Sequence, residues 1–590
     1  MKRMSFWLFA LMMASGIQAK EFLAKDYGIA PGKAFTAADV TRLLAEVAAV
    51  KERNVVIFDK GVYDVGPAQC VKRTWFISNH DQWNPKTVFL PIENLTNVTF
   101  KGNGAFINLK GRIIPFGLWD CEGVTLENFS IDYEMPPLTQ INLLAADAAA
   151  KTVTFKTLPG VAWELKGTRL FFKGSDWRNS PSGGTLFDPD GTIAYRTGDF
   201  GFNLSNVIAN ADGSFTAHGL GQKDFKAGQT MALRAWERPA PGIVLSTSKN
   251  SSLLGMNIYY SDGMGVIAQG CENITIDHLK IVPNQEKGRT HSTQADATHF
   301  SGCRGMIRSV NGEYVGMMDD AINVHGTYLR VQKRIDARTL DCAYMHGQAY
   351  GFFWGSAGDQ VQFVRSKTME IIGEKPVKIL SLATLDKPTV TEGAKQFRIT
   401  FAEDLPAEID PAQGPLGIEN LTWTPEVVFS HNRIANNRAR GALFSTPKRV
   451  LCTDNVFDHV SGCAVLLCGD CNGWYETGAC RDVIIRNNRF INALTSNFQF
   501  TEAVISICPE IPQLNQQSKY FHSGIIIEKN VFETFDRPLV FAKSVNGLTI
   551  RDNTVIRNHD FPAWHWNKDW LTTRRVTNQR IEAPREIQSK

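Results

Sequence analysis

The chain lacks long apolar runs beyond its extreme N-terminus. No later run approaches the ~20 consecutive apolar residues that a membrane-spanning helix needs. The net charge is small as well, +4 over 590 residues, which gives no reason to expect nucleic acid or an anionic membrane surface as a partner. Long amphipathic helical patterns are scarce, whereas the chain has 48 glycines and 10% aromatic residues. The composition therefore predicts a mostly β protein without a membrane span.

The first nineteen residues have the pattern of a secretory signal. Lys2 and Arg3 precede an apolar run at residues 6–13, and residues 16–19 offer a small-residue cleavage site. No cysteine follows that site, which argues against a lipoprotein anchor. We expect the signal to be cleaved and the protein to be exported, to the periplasm or the exterior.

The cysteine pattern gives little support for a metal site. The chain has 11, an odd number, so at least one thiol is unpaired in any disulfide scheme. Cys463, Cys468, Cys471 and Cys480 contain one C-x-x-C, but a zinc site usually has a second such pair. In an exported chain, one or two local disulfides or buried cysteines on strands are the better expectation. We predict no metal and no cofactor.

A recurring unit dominates the second half of the chain. An aliphatic residue, another apolar residue two places on and an asparagine three places later recur, with the asparagines at Asn432, Asn455, Asn488, Asn530 and Asn553. Such spacing is typical of a solenoid whose coils contain three short strands. Asparagine suits the turns because it tolerates the left-handed conformation and its amide can bond to asparagines in neighbouring coils.

These patterns predict an all-β protein: a right-handed parallel β-helix with two inserted small β-barrel-like domains and an N-terminal capping helix. The helix is expected at residues 36–47, with Thr36 or Asp39 as its cap. The asparagine unit vanishes in two regions, which we interpret as the inserts. The predicted division is signal peptide 1–19, cap and first coils 20–137, first insert 138–240, catalytic coils 241–326, second insert 327–422, and last coils and tail 423–590.

A group of three carboxylates is the strongest candidate for catalysis. Asp319 and Asp320 lie in an apolar context that is costly for unpaired carboxylates, and Asp296 lies about one coil upstream. Stacked coils are about 4.8 Å apart, so the three side chains should be neighbours. Crowded carboxylates cannot all ionise; one keeps a proton and can act as a general acid. Carboxyl groups that diverge from adjacent coils are compatible with the roughly 6.5–9.5 Å of inverting glycosidases, and the about 5–5.5 Å of retaining ones stays open.

Several other residues are candidates for binding a sugar. We expect His325, Asn323 and His299 to provide hydrogen bonds, although Asn323 could equally be a structural ladder residue. Trp354 could provide an aromatic platform, although the core of the second insert is its competing interpretation. Asp470, Trp474 and Glu476 lie on a Gly- and Cys-rich loop that could approach the substrate, although an ordinary surface loop is the favoured interpretation.

The string from Met318 to Gly326, the upstream Asp296, the interrupted β-helix and the export signal together resemble glycoside hydrolase family 110. That family consists of bacterial exo-acting α-1,3-galactosidases, some of which remove the terminal galactose of blood group B antigens. The resemblance implies inverting, metal-independent hydrolysis of a galactose-terminated oligosaccharide or glycoconjugate. The arrangement of the three aspartates is also similar to that of family 28 polygalacturonases. By that analogy Asp319 is the general acid, while Asp320 and Asp296 position the water.

Two alternatives remain open at this stage. One is a β-helix hydrolase or lyase that acts on an acidic or algal galactan polymer. A lyase would need a Lys or Arg base, and none follows the aspartate pair until Arg330. The other is a non-catalytic carbohydrate-binding β-helix, which gives no reason to bury three carboxylates. The oligomeric state and the preference for linear or fucose-branched substrates are not indicated by the sequence.

Overall fold

The computed structural model describes residues 19–196, 198–220 and 225–588, and its main body is a right-handed parallel β-helix built of three sheets. The predicted signal sequence lies outside these residues except for Ala19, and its cleavage stays a prediction. A typical coil contributes one strand to each sheet, and successive coils pair in parallel. The fold class predicted from the sequence is confirmed.

The three sheets are named A, B and C in the order in which a coil visits them. Sheet A contains strands Lys20–Leu23, Asn54–Ile57, Val98–Leu109, Thr125–Tyr133, Lys249–Leu254, Glu272–Asp277, Arg304–Val310, Pro425–Ser430, Arg449–Thr453, Asp482–Arg486, His522–Glu528, Val540–Arg551 and Leu571–Ile581. Sheet B contains Gly61–Val65, Asn257–Ile258, Lys280–Ile281, Glu313–Val315, Arg433–Ala435, Val456–Asp458, Arg489–Ile491, Val531–Thr534, Thr554–Arg557 and Arg585–Gln588. Sheet C contains Lys86–Glu93, Ile114–Trp119, Ile243–Ser246, Val266–Gln269, Thr298–Ser301, Ile322–Thr327, Ala442–Phe444, Val465–Leu467 and Ile505–Ile507. Four long strands serve two sheets: Val98–Leu109 and Thr125–Tyr133 continue from A into B, and Val540–Arg551 and Leu571–Ile581 run from C into A.

Alternating apolar residues fill the space between the sheets. In strand Pro425–Ser430, for example, Val427 and Phe429 are fully buried and stack on their counterparts in adjacent coils. Parallel strands that are buried against other sheets are enriched in such aliphatic and aromatic residues. The result is one continuous core that runs through the coils of the β-helix.

The predicted asparagine ladder is present at the corner between sheets A and B. The Oδ1 atom of Asn455 accepts from the backbone N–H and the side-chain amide of Asn432, both at 3.0 Å. The Oδ1 atom of Asn488 accepts from the same two groups of Asn455. The ladder continues through Asn530 to Asn553. One detail of the prediction was wrong: the left-handed conformation belongs to the residue before each ladder asparagine, such as Asp454 at φ 60°. That turn points the asparagine inward, where its amide replaces water.

The N-terminal helix spans Ala37–Ala48. Thr36 is its N-cap and accepts from the Asp39 N–H, while the Asp39 carboxylate accepts from the Thr36 N–H at 2.8 Å, which completes a capping box. Val40, Leu43 and Val47 are buried in the main core. The helix therefore contributes one apolar face to the first coils of the β-helix.

Two β inserts interrupt the coils, and each has its own core. The first contains strands Thr139–Asp147, Thr152–Thr157, Trp163–Lys166, Arg169–Lys173, Arg178–Asn179, Gly183–Phe187, Phe200–Gly201, Val207–Ala209, Phe215–His218 and Thr230–Arg234. The second is a closed barrel of Leu329–Arg334, Thr339–Ala343, Gln396–Phe401, Glu370–Thr384, Gln360–Arg365 and Leu416–Asn420. This barrel is inserted within one coil, between strands Ile322–Thr327 and Pro425–Ser430. The insertion does not disturb the stacking of the coils, because strand Ile322–Thr327 still pairs with Ala442–Phe444.

The remaining elements are short. Strand Val71–Arg73 pairs antiparallel with Lys86–Glu93, and strand Glu476–Thr477 pairs antiparallel with Gly326–Thr327. In the part of the chain that the structure describes, five 3-10 helices lie at Ala24–Tyr27, Pro67–Gln69, Gln285–Lys287, Pro411–Gln413 and Leu514–Gln516. None of the helices within the described ranges is both long and apolar enough to cross a membrane.

All eleven cysteines lie among the described residues, and all are free thiols. The expectation of one or two local disulfides was therefore wrong. The other expectation, buried cysteines, describes the structure: every cysteine except Cys70 is buried, and Cys452, for example, lies on strand Arg449–Thr453. They behave as small apolar residues in the core.

Candidate active site

The three aspartates lie in the turn that leads into sheet C, in two adjacent coils. The turn opens at Gly316, whose φ of +71° is one that glycine adopts readily. Strand Thr298–Ser301 pairs with Ile322–Thr327 in a register that brings Asp296 alongside Asp320, and the Asp320 carbonyl accepts from the Ala297 N–H at 2.8 Å. Asp319 and Asp320 both precede strand Ile322–Thr327 and lie in the turn itself. The turn geometry lets neighbouring carboxylates approach the same site, which a pleated strand would prevent.

The carboxyl groups are closely spaced and Asp319 is surrounded by arginines. One oxygen from each of Asp296, Asp319 and Asp320 lies within 4.8 Å of the other two. Arg238 donates to Oδ2 of Asp319 at 3.0 Å, and Nη1 of Arg438 lies 4.0 Å from the same oxygen. Both guanidinium groups are mostly buried, so solvent screens these contacts little.

Asp320 is held by a single arginine. The Arg440 backbone N–H donates to Oδ1 at 3.1 Å and its guanidinium donates to Oδ2 at 3.0 Å. Arg440 lies one coil further along the β-helix, in the turn equivalent to that of Asp320. This two-point contact fixes the orientation of the fully buried Asp320 carboxyl.

Asp296 is held by histidines instead of arginines. Its Oδ2 atom lies 2.7 Å from Nδ1 of His299, and Nε2 of His299 lies 2.8 Å from Nε2 of His325. Nδ1 of His325 lies 2.7 Å from the Gly326 carbonyl oxygen. Asp296 and both imidazoles are buried.

These surroundings separate the pKa values of the carboxyl groups. Burial, reinforced by the charge of Asp319, raises the pKa of Asp296 to about 8. Burial also acts to raise the pKa of Asp319, but the nearby guanidinium groups outweigh it and lower that pKa to about 2. Burial raises the pKa of Asp320 well above its usual value, although Arg440 opposes the shift. At neutral pH the site therefore contains both an ionised and a protonated carboxyl group, the combination that acid–base catalysis requires.

The trio opens into a cavity of about 270 Å³ whose walls come from distant parts of the chain. That volume is close to the lower end of the ~300–1,000 Å³ typical of ligand pockets, which suits a small sugar better than a polymer. The cavity is lined by three carboxylates of the trio, three arginines and four aromatic side chains: Asp296, Asp319, Asp320, Arg238, Arg438, Arg440, Trp236, Trp474, Phe498 and Phe500.

The segment around residues 470–476 forms one wall of this cavity, so its interpretation as an ordinary surface loop was wrong. Asp470 accepts from three backbone N–H groups, including that of Trp474 at 2.6 Å, and so shapes the loop. Strand Glu476–Thr477 pairs with Gly326–Thr327 and brings Glu476 to the site. A Cβ atom on Gly326 would lie 2.6 Å from Oγ1 of Thr477, so glycine is needed for this close approach.

The other predicted binding residues have different positions. Asn323 and His299 line the cavity, and Oδ1 of Asn323 is buried without a hydrogen-bond partner among the residues described. A substrate hydroxyl is a suitable donor for it. His325 lies behind His299 and does not line the cavity. Trp354 does not line the cavity, so the aromatic-platform interpretation is wrong and its competing interpretation describes the structure: Trp354 packs in the core of the second insert and donates to the Thr327 carbonyl at 2.8 Å.

The arginines and Trp236 were not found from the sequence. Arg440 could have been: it follows Ala435 at the same spacing as Asp320 follows Val315, and those two residues pair in sheet B. Recognising this requires knowing that the second insert interrupts a single coil. Arg238 and Trp236 have no such signal, because they follow the last strand of the first insert and the repeat does not extend to them.

The oxygens of the trio are close enough together to contact one cation, so the charge balance is relevant. Arg238, Arg438 and Arg440 already bring positive charge to Asp319 and Asp320. A divalent cation prefers several ionised oxygen ligands. The guanidinium groups and the protonated Asp296 make this donor set a poor match for one.

Comparison with known proteins identifies two matching family models and several relatives. A model of GLAA-B beta-barrel domain I matches residues 139–231, and one of GLAA-B beta-barrel domain II matches residues 339–413. Alpha-1,3-galactosidase B of Phocaeicola vulgatus is 49% identical over 542 residues, which cover 90% of this chain and 89% of that protein. Alpha-1,3-galactosidase B of Bacteroides fragilis is 46% identical over 594 residues, covering 97% and 99%. Alpha-1,3-galactosidase B of Akkermansia muciniphila is 37% identical over 554 residues, covering 93% and 68%.

Solved structures are similar at a lower level. The family 28 exopolygalacturonase of Yersinia enterocolitica has a TM-score of 0.37 at 9% identity, covering 96% of this chain and 79% of that one. The exopolygalacturonase of Thermotoga maritima has a TM-score of 0.39 at 11% identity, covering 95% and 92%. The sequence relatives, which are 37–49% identical to this chain, are the stronger finding.

Proposed function

The chain belongs to glycoside hydrolase family 110, the α-1,3-galactosidases, and from this membership we propose that it removes terminal α-1,3-linked galactose from glycans. It is a glycoside hydrolase. The observation that carries the proposal is the trio of Asp296, Asp319 and Asp320 in a cavity suited to a small sugar. Blood group B-type glycans and linear α-1,3-galactosides both end in the required sugar.

Catalysis in this proposal depends on two carboxyl groups with opposite charge states. Asp296, with a pKa of about 8, is protonated at neutral pH and serves as the general acid for the leaving oxygen. Asp319, with a pKa of about 2, is ionised and activates the attacking water, while Asp320 and Arg440 fix the geometry. This assignment reverses the roles that the polygalacturonase analogy gave to Asp319 and Asp296. The physical reason is that Arg238 and Arg438 stabilise the charge on Asp319.

We propose inversion of the anomeric centre on the strength of the family resemblance. Proton NMR of the first-formed galactose tests the proposal: early β-galactose supports inversion, and early α-galactose contradicts it.

The activity is tested by incubating the protein with Galα1-3Gal and with the fucosylated blood group B trisaccharide. We expect galactose release from at least one of them by the wild type, and a loss of about 10²–10⁴-fold for Asp319→Asn. Polygalacturonate is the control substrate. Cleavage of that polymer without cleavage of either galactoside would contradict the proposed function.

The acidic-polymer alternative is less well supported by the site. The arginines that a uronate would need are present, but Arg238, Arg438 and Arg440 are each within 4.0 Å of a carboxylate of the protein. Their positive charge is therefore largely neutralised. Export through the predicted signal is part of our proposal and is supported by the sequence alone.

A further inference from the structure

Aromatic side chains line the outer part of the cavity. The trio lies at the buried end, whereas Trp236 is 45% exposed and Trp474, Phe498 and Phe500 are partly exposed. We call these four side chains the aromatic rim. The cavity of about 270 Å³ lies just below the ~300–1,000 Å³ of pockets that enclose a drug-sized ligand. A glycan that places its terminal galactose at the trio therefore extends past the rim with its next sugar.

Both inserts take part in the rim. Trp236 follows Thr230–Arg234, the last strand of the first insert. Trp474 packs against His346, with 4.5 Å between the ring centres and 31° between the ring planes. His346 belongs to the second insert, in the loop after strand Thr339–Ala343. Each insert therefore reaches the outer part of the cavity, although neither provides a member of the trio.

Two rim residues have a strained backbone. The φ angle is +66° at Trp236 and +63° at Phe500. This left-handed conformation is unfavourable for bulky side chains, because Cβ crowds the backbone. Such strain is concentrated at functional sites, where the surrounding structure maintains it. Packing does not explain it at Trp236, which belongs to none of the hydrophobic cores of the described residues.

The two tryptophans of the rim are held in place by their neighbours. The Trp236 ring contacts the guanidinium groups of Arg234 at 4.2 Å and Arg438 at 5.3 Å. Nε1 of Trp474 donates to Oε1 of Gln499 at 3.4 Å. A ring that is fixed before binding loses little conformational freedom when a ligand arrives. A fixed and partly exposed ring can pack against the C–H groups on one face of a pyranose, while the sugar hydroxyls stay in water.

We infer that Trp236 and Trp474 form a subsite for the sugar next to the terminal galactose. The inference rests on the proposed function, because that sugar is the leaving group of the proposed reaction. The ligand class is a neutral pyranose with an apolar face. An acidic sugar fits less well, because the carboxyl groups of Asp470 and Glu476 line the same cavity. Binding of the leaving sugar here holds the glycosidic oxygen at the trio, so the subsite contributes to the rate as well as to affinity.

The test compares a glycan with a substrate that lacks the second sugar. α-Galactosyl fluoride presents the galactose alone, and its fluoride leaves without being protonated. The glycan is whichever of Galα1-3Gal and the blood group B trisaccharide the wild type cleaves faster. The measured quantity is the ratio of kcat/KM on the glycan to kcat/KM on the fluoride. Damage to the galactose position lowers both values, so the ratio reports the second sugar.

We expect Trp236→Ala and Trp474→Ala each to lower this ratio about tenfold, which corresponds to roughly 1.4 kcal/mol. Trp474→Phe keeps an aromatic ring and should lower the ratio less. The alkaline limb of kcat/KM on the glycan depends on the acid, Asp296, and should keep its apparent pKa in all three variants. A lower ratio together with a shifted alkaline limb would assign the loss to the acid and overturn the subsite.

The matched control is Trp163→Ala. Trp163 is 43% exposed and lies on a strand of the first insert, but it does not line the cavity. We expect its ratio to equal that of the wild type, with thermal unfolding used to compare the folding of all variants. An unchanged ratio in Trp236→Ala and Trp474→Ala, or an equal fall in Trp163→Ala, would overturn the subsite. If the wild type cleaves neither glycan, the proposed function fails instead.

Discussion

Nη2 of Arg238 lies 3.0 Å from Oδ2 of Asp319, although 81 residues separate them along the chain. Arg238 follows the last strand of the first insert, and Asp319 belongs to the β-helix. The contact therefore makes the ionisation of a β-helix carboxylate depend on the segment that returns from an inserted domain. Asp319 remains ionised in a buried site because this arginine and its neighbours compensate for the lost hydration.

Replacing Arg238 should move the acidic limb of the pH profile. A base that must be ionised loses activity as the pH falls through its pKa. Arg238→Gln removes one guanidinium, so the pKa of Asp319 rises from about 2 and the acidic limb of kcat/KM shifts to higher pH. Arg238→Lys, which keeps a positive charge, should shift it less. An acidic limb that is identical in all three proteins would contradict the role of Asp319 as the ionised group.

The alkaline limb should report Asp296. An acid that must be protonated loses activity as the pH rises through its pKa, so kcat/KM on Galα1-3Gal should decline with an apparent pKa of about 8. Asp296→Asn should lower kcat on this substrate by about 10²–10⁴-fold and abolish the limb. Its activity on α-galactosyl fluoride should be largely retained, because fluoride leaves without being protonated. If Asp296→Asn loses activity on the fluoride to the same extent, Asp296 is not the acid.

Removing metal ions should leave the activity unchanged. Arginines compensate the charges of Asp319 and Asp320, and Asp296 is protonated at neutral pH, so the trio offers too few ionised oxygens for tight cation binding. We expect initial rates on Galα1-3Gal to be equal before and after dialysis against EDTA. A loss of activity that added calcium or zinc restores would show that the site uses a metal ion.

Breaking the asparagine ladder should reduce stability without changing the chemistry. Asn488→Ala leaves the Asn455 N–H and amide without their acceptor and removes the donor to the Cys452 carbonyl. Unsatisfied buried polar groups cost about 1–3 kcal/mol each. We expect Asn488→Ala to unfold at a lower denaturant concentration than the wild type. Below that concentration, its kcat should equal the wild-type value. Asn257→Ala, at a partly exposed position off the ladder whose amide donates to Ser130, is the control and should cost less. An unchanged midpoint for Asn488→Ala would mean that the ladder does not stabilise the β-helix.

The local repeats and the aspartate string were sufficient to predict the fold class and to select Asp296, Asp319 and Asp320. An apolar alternation with a periodic asparagine has few structural solutions, and a β-helix brings residues one coil apart into contact whatever lies in the turns. The sequence alone also predicted the N-terminal helix, since its apolar positions and its cap are local features of the chain.

The charge states of the three carboxyl groups were decided only by the tertiary structure. Arg238 reaches Asp319 from the end of the first insert, Arg440 reaches Asp320 across the second insert, and Glu476 reaches His325 through an antiparallel strand pair. The contact of Arg440 follows the repeat only once the second insert is recognised as interrupting a single coil, and the contacts of Arg238 and Glu476 do not follow it. Electrostatic effects depend on distance in space and on burial, and both are set by how the inserts and loops pack around the coils. For that reason the sequence by itself selected the three aspartates as candidates, whereas only the folded chain indicates which of them holds a proton.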